Sequence, residues 1–239
     1  MAGHSTLGLI PAKGGSTRLA KKNVRALGGK PLIAWAAEAA RASGVIDRLV
    51  LSTEDADIAE KARGLGIEVP FMRPPELARD PAGVVEVALH ALDTLEKGGA
   101  RYDTIIILLP TCPFRSAADV RAAYELFVER DRPFLMSVSE YSHTPFAAYR
   151  MAEGGGLQPV FPEYLELRSQ QMPRAYRPNG AVHVLDVARF RAAGTYVAEP
   201  LVGYVMPRER SIDIDTDADL READFLLREG VVSLAGTEA

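Results

Sequence analysis

Apolar runs of strand length alternate along this chain with helix-length segments that carry apolar residues on one face. The first pair shows the pattern: 6–10 is a short apolar run, and 31–42 follows, with Pro31 in its first turn and Gly44 beyond its end. Strands that alternate with helices build a parallel sheet covered by helices on both faces. The alternation therefore predicts an α/β fold, and a length of 239 residues favours one domain over 1–239.

The sheet predicted by this alternation would bring three polar segments to one edge. Further strands are predicted at 48–53, 67–71, 104–109 and 134–139, and further helices at 55–65, 83–95, 117–129 and 218–228. Open α/β sheets bind their ligands at the carboxyl ends of the strands. We therefore expect Arg18, Ser52 and Thr111, which lie at or just beyond such ends, to border a ligand site.

The loop after the first strand combines glycines with positive charge. Residues 10–19 read IPAKGGSTRL, and KKN follows at 21–23. Gly14 and Gly15 allow backbone N–H groups to converge on an anion. Four cations lie within ten positions of this loop: Lys13, Arg18, Lys21 and Lys22. The combination suits a polyphosphate, although a solvated basic turn explains the loop alone equally well, and the spacing matches neither a P-loop nor a dinucleotide fingerprint.

Two aspartates near the far end form a second candidate site. Residues 211–217 read SIDIDTD, and side chains two apart share a face in an extended segment, so Asp213 and Asp215 would point the same way. Paired carboxylates favour a cation between them, and hard oxygen ligands suit Mg²⁺. The alternative is a polar edge followed by a helix capped at Thr216 or Asp217. A cationic loop and a two-carboxylate metal site together indicate nucleotidyl transfer from a nucleoside triphosphate.

The chain resembles the cytidylyltransferases that activate nonulosonic acids, which are acidic nine-carbon sugars. The matching segments, in the order of the family, are IPAKGGS at 10–16, KN at 22–23, GKPLI at 29–33, LSTED at 51–55, RPPEL at 73–77, PTCPFR at 110–115, RPNGA at 177–181 and DIDT at 213–216. The resemblance runs through most of the chain. It implies a three-layer, Rossmann-like nucleotide-diphospho-sugar transferase fold with a mostly parallel mixed sheet.

The resemblance also implies a reaction and its residues. CMP would pass from CTP to the C2 hydroxyl of the acid sugar, with release of pyrophosphate and with Mg²⁺ as cofactor. Lys13, Lys22, Asp213 and Asp215 would be catalytic, the two aspartates as metal ligands. Nucleotide-binding residues would be Ala12, Lys13, Gly14, Gly15, Ser16, Arg18, Lys22, Asn23, Arg73, Pro110 and Thr111. Sugar-binding residues would be Arg168, Gln170, Gln171, Arg177, Asn179 and Gly180.

Residues 141–177 interrupt the strand–helix alternation. This stretch contains four prolines and several isolated aromatic residues, and the triple glycine at 154–156 predicts a hairpin with a short strand on either side. The resemblance implies that such an insertion crosses to a second subunit of a homodimer and helps close the sugar site. An ordinary surface loop is the alternative.

Four positions depart from the family pattern, and they leave other functions open. Lys13 replaces an arginine, Leu109 a glutamine that helps hold the nucleoside, Val84 a serine and Ser169 an arginine. One alternative is activation of the eight-carbon acid Kdo, because STRL at 16–19 also resembles the enzymes of that reaction, although RPNG at 177–180 argues against it. Another is a nucleotide-binding regulator that has kept the fold without the catalysis.

Composition agrees with a cytoplasmic enzyme. The net charge of −4 gives no overall attraction to nucleic acid or to a membrane surface. Cys112 is the single cysteine, which excludes an internal disulfide framework. The chain has no apolar run long enough to span a bilayer, and 1–4 do not read as a signal peptide. We therefore expect CTP and an acid sugar as partners, and neither nucleic acid nor membrane.

Overall fold

The computed structural model describes residues 4–16, 18–132 and 134–234. Its strands are β1 (Thr6–Pro11), β2 (Ala26–Leu27), β3 (Lys30–Pro31), β4 (Arg48–Ser52), β5 (Thr104–Ile107), β6 (Phe134–Glu140), β7 (Tyr149–Met151), β8 (Leu157–Pro159), β9 (Tyr176–Asp186) and β10 (Leu201–Val205). Its α-helices are α1 (Leu32–Ser43), α2 (Ala56–Gly64), α3 (Val84–Lys97), α4 (Ala117–Glu129), α5 (Val187–Ala193) and α6 (Asp217–Arg228). Thr17 of the cationic loop and residues 1–3 lie outside the described residues.

The main sheet is mixed and mostly parallel, as predicted. Its six strands lie in the order β10-β6-β9-β5-β1-β4. β1 pairs in parallel with β4 and β5, and β10 pairs in parallel with β6. β9 runs antiparallel between β5 and β6. The carboxyl ends of β1, β4 and β5 therefore lie side by side, which brings the segments that follow them to one edge.

Two apolar layers separate the helices from the sheet. Leu7 and Leu9 of β1 pack in a buried cluster with α3 and α5, while Ile10 packs in another with α1, α2 and α4. Successive side chains of a strand point to opposite faces, so one strand serves both layers. Burial of an aliphatic side chain of this size contributes about 1.5–3 kcal/mol. This arrangement confirms the predicted α/β fold with helices on both faces.

The strand predicted at 67–71 is wrong. This segment makes one isolated bridge, between Glu68 and Val50, and no ladder. Pro70 has no N–H to donate to a ladder, which restricts the segment to this single contact. The sequence patterns predicted none of β9, α5 and β10; for β9, the proline and glycine of the RPNG run at 177–180 favour a loop.

The stretch 141–177 contains the predicted hairpin. β7 and β8 pair antiparallel, with Met151 opposite Leu157. Gly154 and Gly155 have φ of 82° and 85°, a region that side chains rarely occupy, so the tip needs glycine. The hairpin exposes 70% of Met151 and 63% of Leu157, so its apolar residues are not buried against the described part of this chain.

None of the helices in the part of the chain that the structure describes is long and apolar enough to cross a bilayer.

Candidate active site

A cleft at the carboxyl ends of β1, β4 and β5 gathers residues from three distant segments of the sequence. Six of the predicted nucleotide-binding residues line it: Lys13, Lys22, Asn23, Arg73, Pro110 and Thr111. Leu109 and Val84, two positions that depart from the family pattern, lie in its wall. Their apolar side chains cannot hydrogen-bond a nucleoside, so polar recognition in this cleft falls to its other groups.

The cationic loop is held by the segment that follows β4. Gly14 N–H donates to Glu54 Oε1 at 2.7 Å, and buried Ala12 donates its N–H to Ser52 O at 2.9 Å. A Cβ on Gly14 would overlap the Asp55 carboxylate, whereas a Cβ on Gly15 would meet open space. Close packing therefore requires the first glycine, and the N–H of Gly14 is already bound to the Glu54 carboxylate, so it is not free for a phosphate.

Asn23 and Arg73 are buried polar residues at the base of the cleft. Asn23 Nδ2 donates to Lys13 O at 2.8 Å and so ties the two ends of the loop. The Arg73 guanidinium donates to Ser52 Oγ at 3.1 Å and lies 3.7 Å from Glu54. Burial lowers the pKa of Arg73, and the nearby Glu54 carboxylate opposes that shift. An arginine pKa starts so high that Arg73 still brings a positive charge to the cleft at neutral pH.

The two predicted sites are a single site. Lys22 Nζ lies 2.5 Å from Asp215 Oδ1, and Arg18 Nη2 lies 2.6 Å from Asp215 Oδ2. These contacts join residues almost two hundred positions apart. Two of the four loop cations, Lys22 and Arg18, are therefore paired with the acidic segment.

Asp213 and Asp215 flank a buried anchor. Ile214 is fully buried in an apolar cluster with Trp35, and its N–H donates to Thr111 O at 2.8 Å. The segment is not part of a strand, so the shared-face argument from strand geometry does not describe it. The anchor of Ile214 fixes the two carboxylates beside the cleft instead.

The environment of Asp213 disfavours its charge. Desolvation raises the pKa of Asp213, and the neighbouring Asp215 carboxylate raises it further, while a Thr111 hydrogen bond and Lys22 lower it. A bound cation would relieve both unfavourable effects, so the donor set fits Mg²⁺. In the described part of the chain, no group of three or more His, Cys, Asp or Glu side chains could hold a metal ion. Mg²⁺ characteristically takes one or two carboxylates and completes its shell with phosphate and water.

Helix α6 begins directly after these acids, and it is capped at Thr216, as the alternative interpretation of this segment predicted. Thr216 caps α6, and its hydroxyl accepts from Asp219 N–H at 3.3 Å, while Asp219 accepts from Thr216 N–H at 2.7 Å. This reciprocal capping box accounts for Thr216 and Asp219. Asp213 and Asp215 take no part in this cap through their carboxylates.

The structure does not bring the predicted sugar-binding residues together. Arg177 shares a cavity with Asp213, whereas Gln170 lies in a different cavity at the base of the hairpin. Arg168 and Gln171 close a short turn, in which Arg168 N–H donates to Gln171 Oε1 at 3.0 Å. Their contact with a sugar stays a prediction.

Asn179 and Gly180 are built into the fold next to Arg177. Asn179 is 4% exposed. Its Oδ1 accepts from Ser137 Oγ at 2.6 Å, and its Nδ2 donates to Ser211 Oγ at 2.9 Å. Gly180 has φ of 70°, and a Cβ there would lie 2.9 Å from Leu109. The amide that was predicted to bind the sugar is thus engaged inside the protein.

Sequence reasoning missed a cation in the cavity of Arg177. Arg208 lines that cavity with Glu222 of α6. The signal was available, since the RER run at 208–210 directly precedes the acidic motif.

Comparison with known proteins identifies the family. A family model for cytidylyltransferases matches residues 7–140. The chain is 31% identical over 221 residues to a pseudaminic acid cytidylyltransferase of Campylobacter jejuni, covering 92% of this chain and 95% of that protein. It is 32% identical over 215 residues to a CMP-N,N'-diacetyllegionaminic acid synthase of Legionella pneumophila, covering 89% and 92%. An N-acylneuraminate cytidylyltransferase of Escherichia coli is 27% identical over 217 residues, which are 91% of this chain and 51% of that protein.

Solved structures show the same fold. A CMP:2-keto-3-deoxy-manno-octonic acid synthetase in complex with CTP superposes with a TM-score of 0.72, covering 95% of this chain and 99% of that chain at 14% identity. A 4-diphosphocytidyl-2C-methyl-D-erythritol synthase of Anaerococcus prevotii superposes with a TM-score of 0.61 at 11% identity, covering 94% and 96%. At these identities the likeness concerns the fold, and it agrees with the predicted nucleotide-diphospho-sugar transferase architecture.

Proposed function

The chain belongs to the cytidylyltransferase family, and from that premise we propose that it transfers CMP from CTP to the C2 hydroxyl of a nonulosonic acid, with release of pyrophosphate. Relatives that match about nine-tenths of the chain act, by their names, on pseudaminic, legionaminic and neuraminic acids. The observation that supports the proposal is the contact of Lys22 and Arg18 with Asp215, which joins the proposed triphosphate loop to a proposed metal ligand.

The proposed chemistry needs positioning and charge neutralisation more than covalent catalysis. The C2 hydroxyl oxygen attacks the α-phosphorus of CTP, the bond from that phosphorus to the β-phosphate oxygen breaks, and the hydroxyl gives up its proton. Lys13, Lys22 and Arg18 hold the triphosphate, and Lys22 offsets the charge that develops on the leaving pyrophosphate. Preorganised cations of this kind act most strongly where charge develops in the transition state.

We propose Mg²⁺ as the cofactor, held by Asp213 and Asp215. When bound, the ion neutralises phosphate charge and lowers the pKa of the attacking hydroxyl. The residues of the chain then have separate tasks: Asp213 lies at the boundary with the cavity of Arg177, and Asp215 lies at the triphosphate loop. From this division we infer that the acceptor sugar binds on the side of Asp213 and CTP on the side of Asp215.

The apolar surface of the hairpin supports a homodimer. Tyr149 is 53% exposed, and the more exposed Met151 and Leu157 lie on the same two short strands. Contiguous exposed apolar surface commonly marks an interface, and a two-fold arrangement would bury the same patch on both subunits. We also propose a cytoplasmic location, since the donor substrate is a nucleotide of that compartment.

Pyrophosphate release tests the function directly. Wild-type protein is assayed with Mg²⁺, each of the four nucleoside triphosphates, and a panel of pseudaminic, legionaminic, neuraminic and Kdo acceptors. We expect turnover with CTP and a nine-carbon acid, and little with Kdo. No release with any acid sugar would refute the proposal, and tight CTP binding without release would favour the nucleotide-binding regulator.

Two adjacent lysines provide a matched pair of variants. Lys22→Ala removes one of the two cations on Asp215, and we expect turnover to fall at least about a hundredfold, because an interaction at developing charge is lost. Lys21→Ala removes a lysine whose Nζ lies 2.5 Å from Asp57, outside the cleft, and should change turnover less than about twofold. Equal losses in both variants would contradict the assigned role of Lys22.

A further inference from the structure

A second cavity adjoins the candidate active site on the side of Asp213. It lies between β9, the turn at Arg208–Arg210 and helix α6. Its charged lining residues are Arg177, Arg208, Glu209, Asp213, Asp219 and Glu222. One wall of the cavity is thus a carboxylate at which we place the attacking hydroxyl, and two other positions carry guanidinium groups.

Neither of these two guanidinium groups makes a direct ion pair, although carboxylates line the same cavity. Within residues 4–16, 18–132 and 134–234, no carboxylate lies within ion-pair distance of Arg177 or Arg208. Neighbouring arginines differ: Arg210 is paired with the buried Asp119, and Arg174 lies 3.6 Å from Glu140. An unpaired guanidinium keeps its planar set of N–H donors available, and that set matches the geometry of a carboxylate.

A buried network fixes the backbone that carries both arginines. Asn179, two residues beyond Arg177 in β9, donates to Ser211 Oγ at 2.9 Å. Ser211 Oγ in turn donates to Pro207 O at 2.7 Å, which is the residue before Arg208. Both arginines are therefore attached to one hydrogen-bonded unit, and both residues line the open cavity. Such preorganisation reduces the entropic cost of binding a ligand.

We propose that Arg208 and Arg177 together bind the carboxylate of the acceptor sugar, and that Arg208 is a specificity-determining residue for acidic acceptors. The inference rests on the proposed function. Glu222 and Asp219 line the same cavity and provide acceptors for hydroxyl and acylamino groups, which the same sugar carries. Asn179 is a positioning residue that acts through Ser211 and contacts no substrate.

Arg208→Gln tests the proposal in steady-state kinetics. The variant keeps a polar side chain but removes the charge, and we expect the KM of the acid acceptor to rise at least about tenfold, since a charge-assisted hydrogen bond is lost. The kcat and the KM of CTP should stay within about twofold, because Arg208 lies outside the nucleotide cleft. Arg208→Lys keeps the charge but not the planar fork, so its acceptor KM should lie between those of the wild-type protein and Arg208→Gln. Arg221→Gln, an exposed arginine of α6 outside the cavity, is the matched control.

A neutral analogue separates recognition of the carboxylate from a general loss of binding. The carboxamide of the acceptor is compared with the acid, as a substrate or as a competitive inhibitor. Wild-type protein should prefer the acid by at least about tenfold, and Arg208→Gln should lose most of that preference.

The outcomes distinguish a failure of this inference from a failure of the proposed function on which it rests. If the wild-type protein turns over acid sugars and Arg208→Gln leaves the acceptor KM and the acid preference unchanged, the inference is wrong and the function stands. A parallel rise in the KM of CTP, or an equal effect of Arg221→Gln, also overturns the inference. No turnover by the wild-type protein with any acid sugar overturns the function and the inference together.

Discussion

Asp215→Asn should strengthen the binding of CTP in the absence of a divalent cation, although it removes a proposed catalytic residue. In the structure, the Asp215 carboxylate holds Lys22 at 2.5 Å and Arg18 at 2.6 Å. A triphosphate that binds without metal must displace this carboxylate from the cations and lie close to its negative charge. The amide of asparagine keeps the size of the side chain and removes both obstacles.

The expected gain follows from the exposure of the groups. The side chains of Lys22 and Asp215 are 17% and 26% exposed, so this pair lies at the upper end of surface ion pairs, about 1 kcal/mol. Arg18 is 65% exposed, and solvent screening reduces its pair to a few tenths of a kcal/mol at most. Removal of the repulsion between Asp215 and the phosphates adds up to about 1 kcal/mol in a solvated cleft. The sum is about 2 kcal/mol, or roughly a thirtyfold lower Kd.

Calorimetric titration of CTP in the presence of EDTA measures this effect. Asp217→Asn is the control, because Asp217 is the next acid along the chain and pairs with the exposed Arg25 at 3.2 Å. With Mg²⁺ present, Asp215→Asn should instead bind CTP more weakly than the wild-type protein does. Its turnover should fall at least about a hundredfold, because a proposed metal ligand is missing. Unchanged or weaker metal-free binding by Asp215→Asn would refute the reasoning, as would an equal gain in Asp217→Asn.

Three further predictions concern stability and assembly. Gly14→Ala should destabilise the protein by about 1–3 kcal/mol in urea titrations, because the new methyl group overlaps Asp55, whereas Gly15→Ala should have little effect; equal effects would contradict the packing argument. His183 is 6% exposed, and burial lowers its pKa to about 4; the unfolded chain therefore binds the proton first as pH falls, and stability should decrease by about 3 kcal/mol between pH 6.5 and 4. The phenylalanine variant at that position should lack this decrease, and an unaltered pH profile would exclude the assignment. Light scattering should show about twice the 25.9 kDa chain mass, and Met151→Ser in the hairpin should shift the protein toward monomer; a monomeric wild-type protein with full activity would disprove the interface.

Helices with strong local signals were predicted accurately from the sequence. Helix α4 has the predicted bounds, and Ser116 and Asp119 at its start form a capping box. Helix α1 begins directly after Pro31 and is followed by Gly44 in the left-handed region. These signals act within one turn of the helix, so they can be recognised without knowledge of the rest of the fold.

Strand β9 shows where local reading fails. Its RPNG run carries a proline and a glycine, which favour loops, yet the strand lies between β5 and β6 in the centre of the sheet. Pro178 is accommodated where the register with β6 shifts, between Met136 and Val138. Pairing with strands from distant parts of the chain stabilises the segment against its own local preference.

The candidate site was likewise predictable in part from the sequence and in part only from the tertiary structure. The sequence by itself determined which chemical groups are available: a glycine loop with four cations, a pair of aspartates, and the α/β alternation that sends them toward one edge of a sheet. Only the tertiary structure decided which of them meet, since Lys22 reaches Asp215 through the packing of Ile214 beside the loop. It also decided that the Asn179 amide is buried while Arg208 lines a cavity with Arg177. Spacing in sequence fixes neighbours along one element, whereas the direction of a side chain relative to distant elements depends on how the whole core packs.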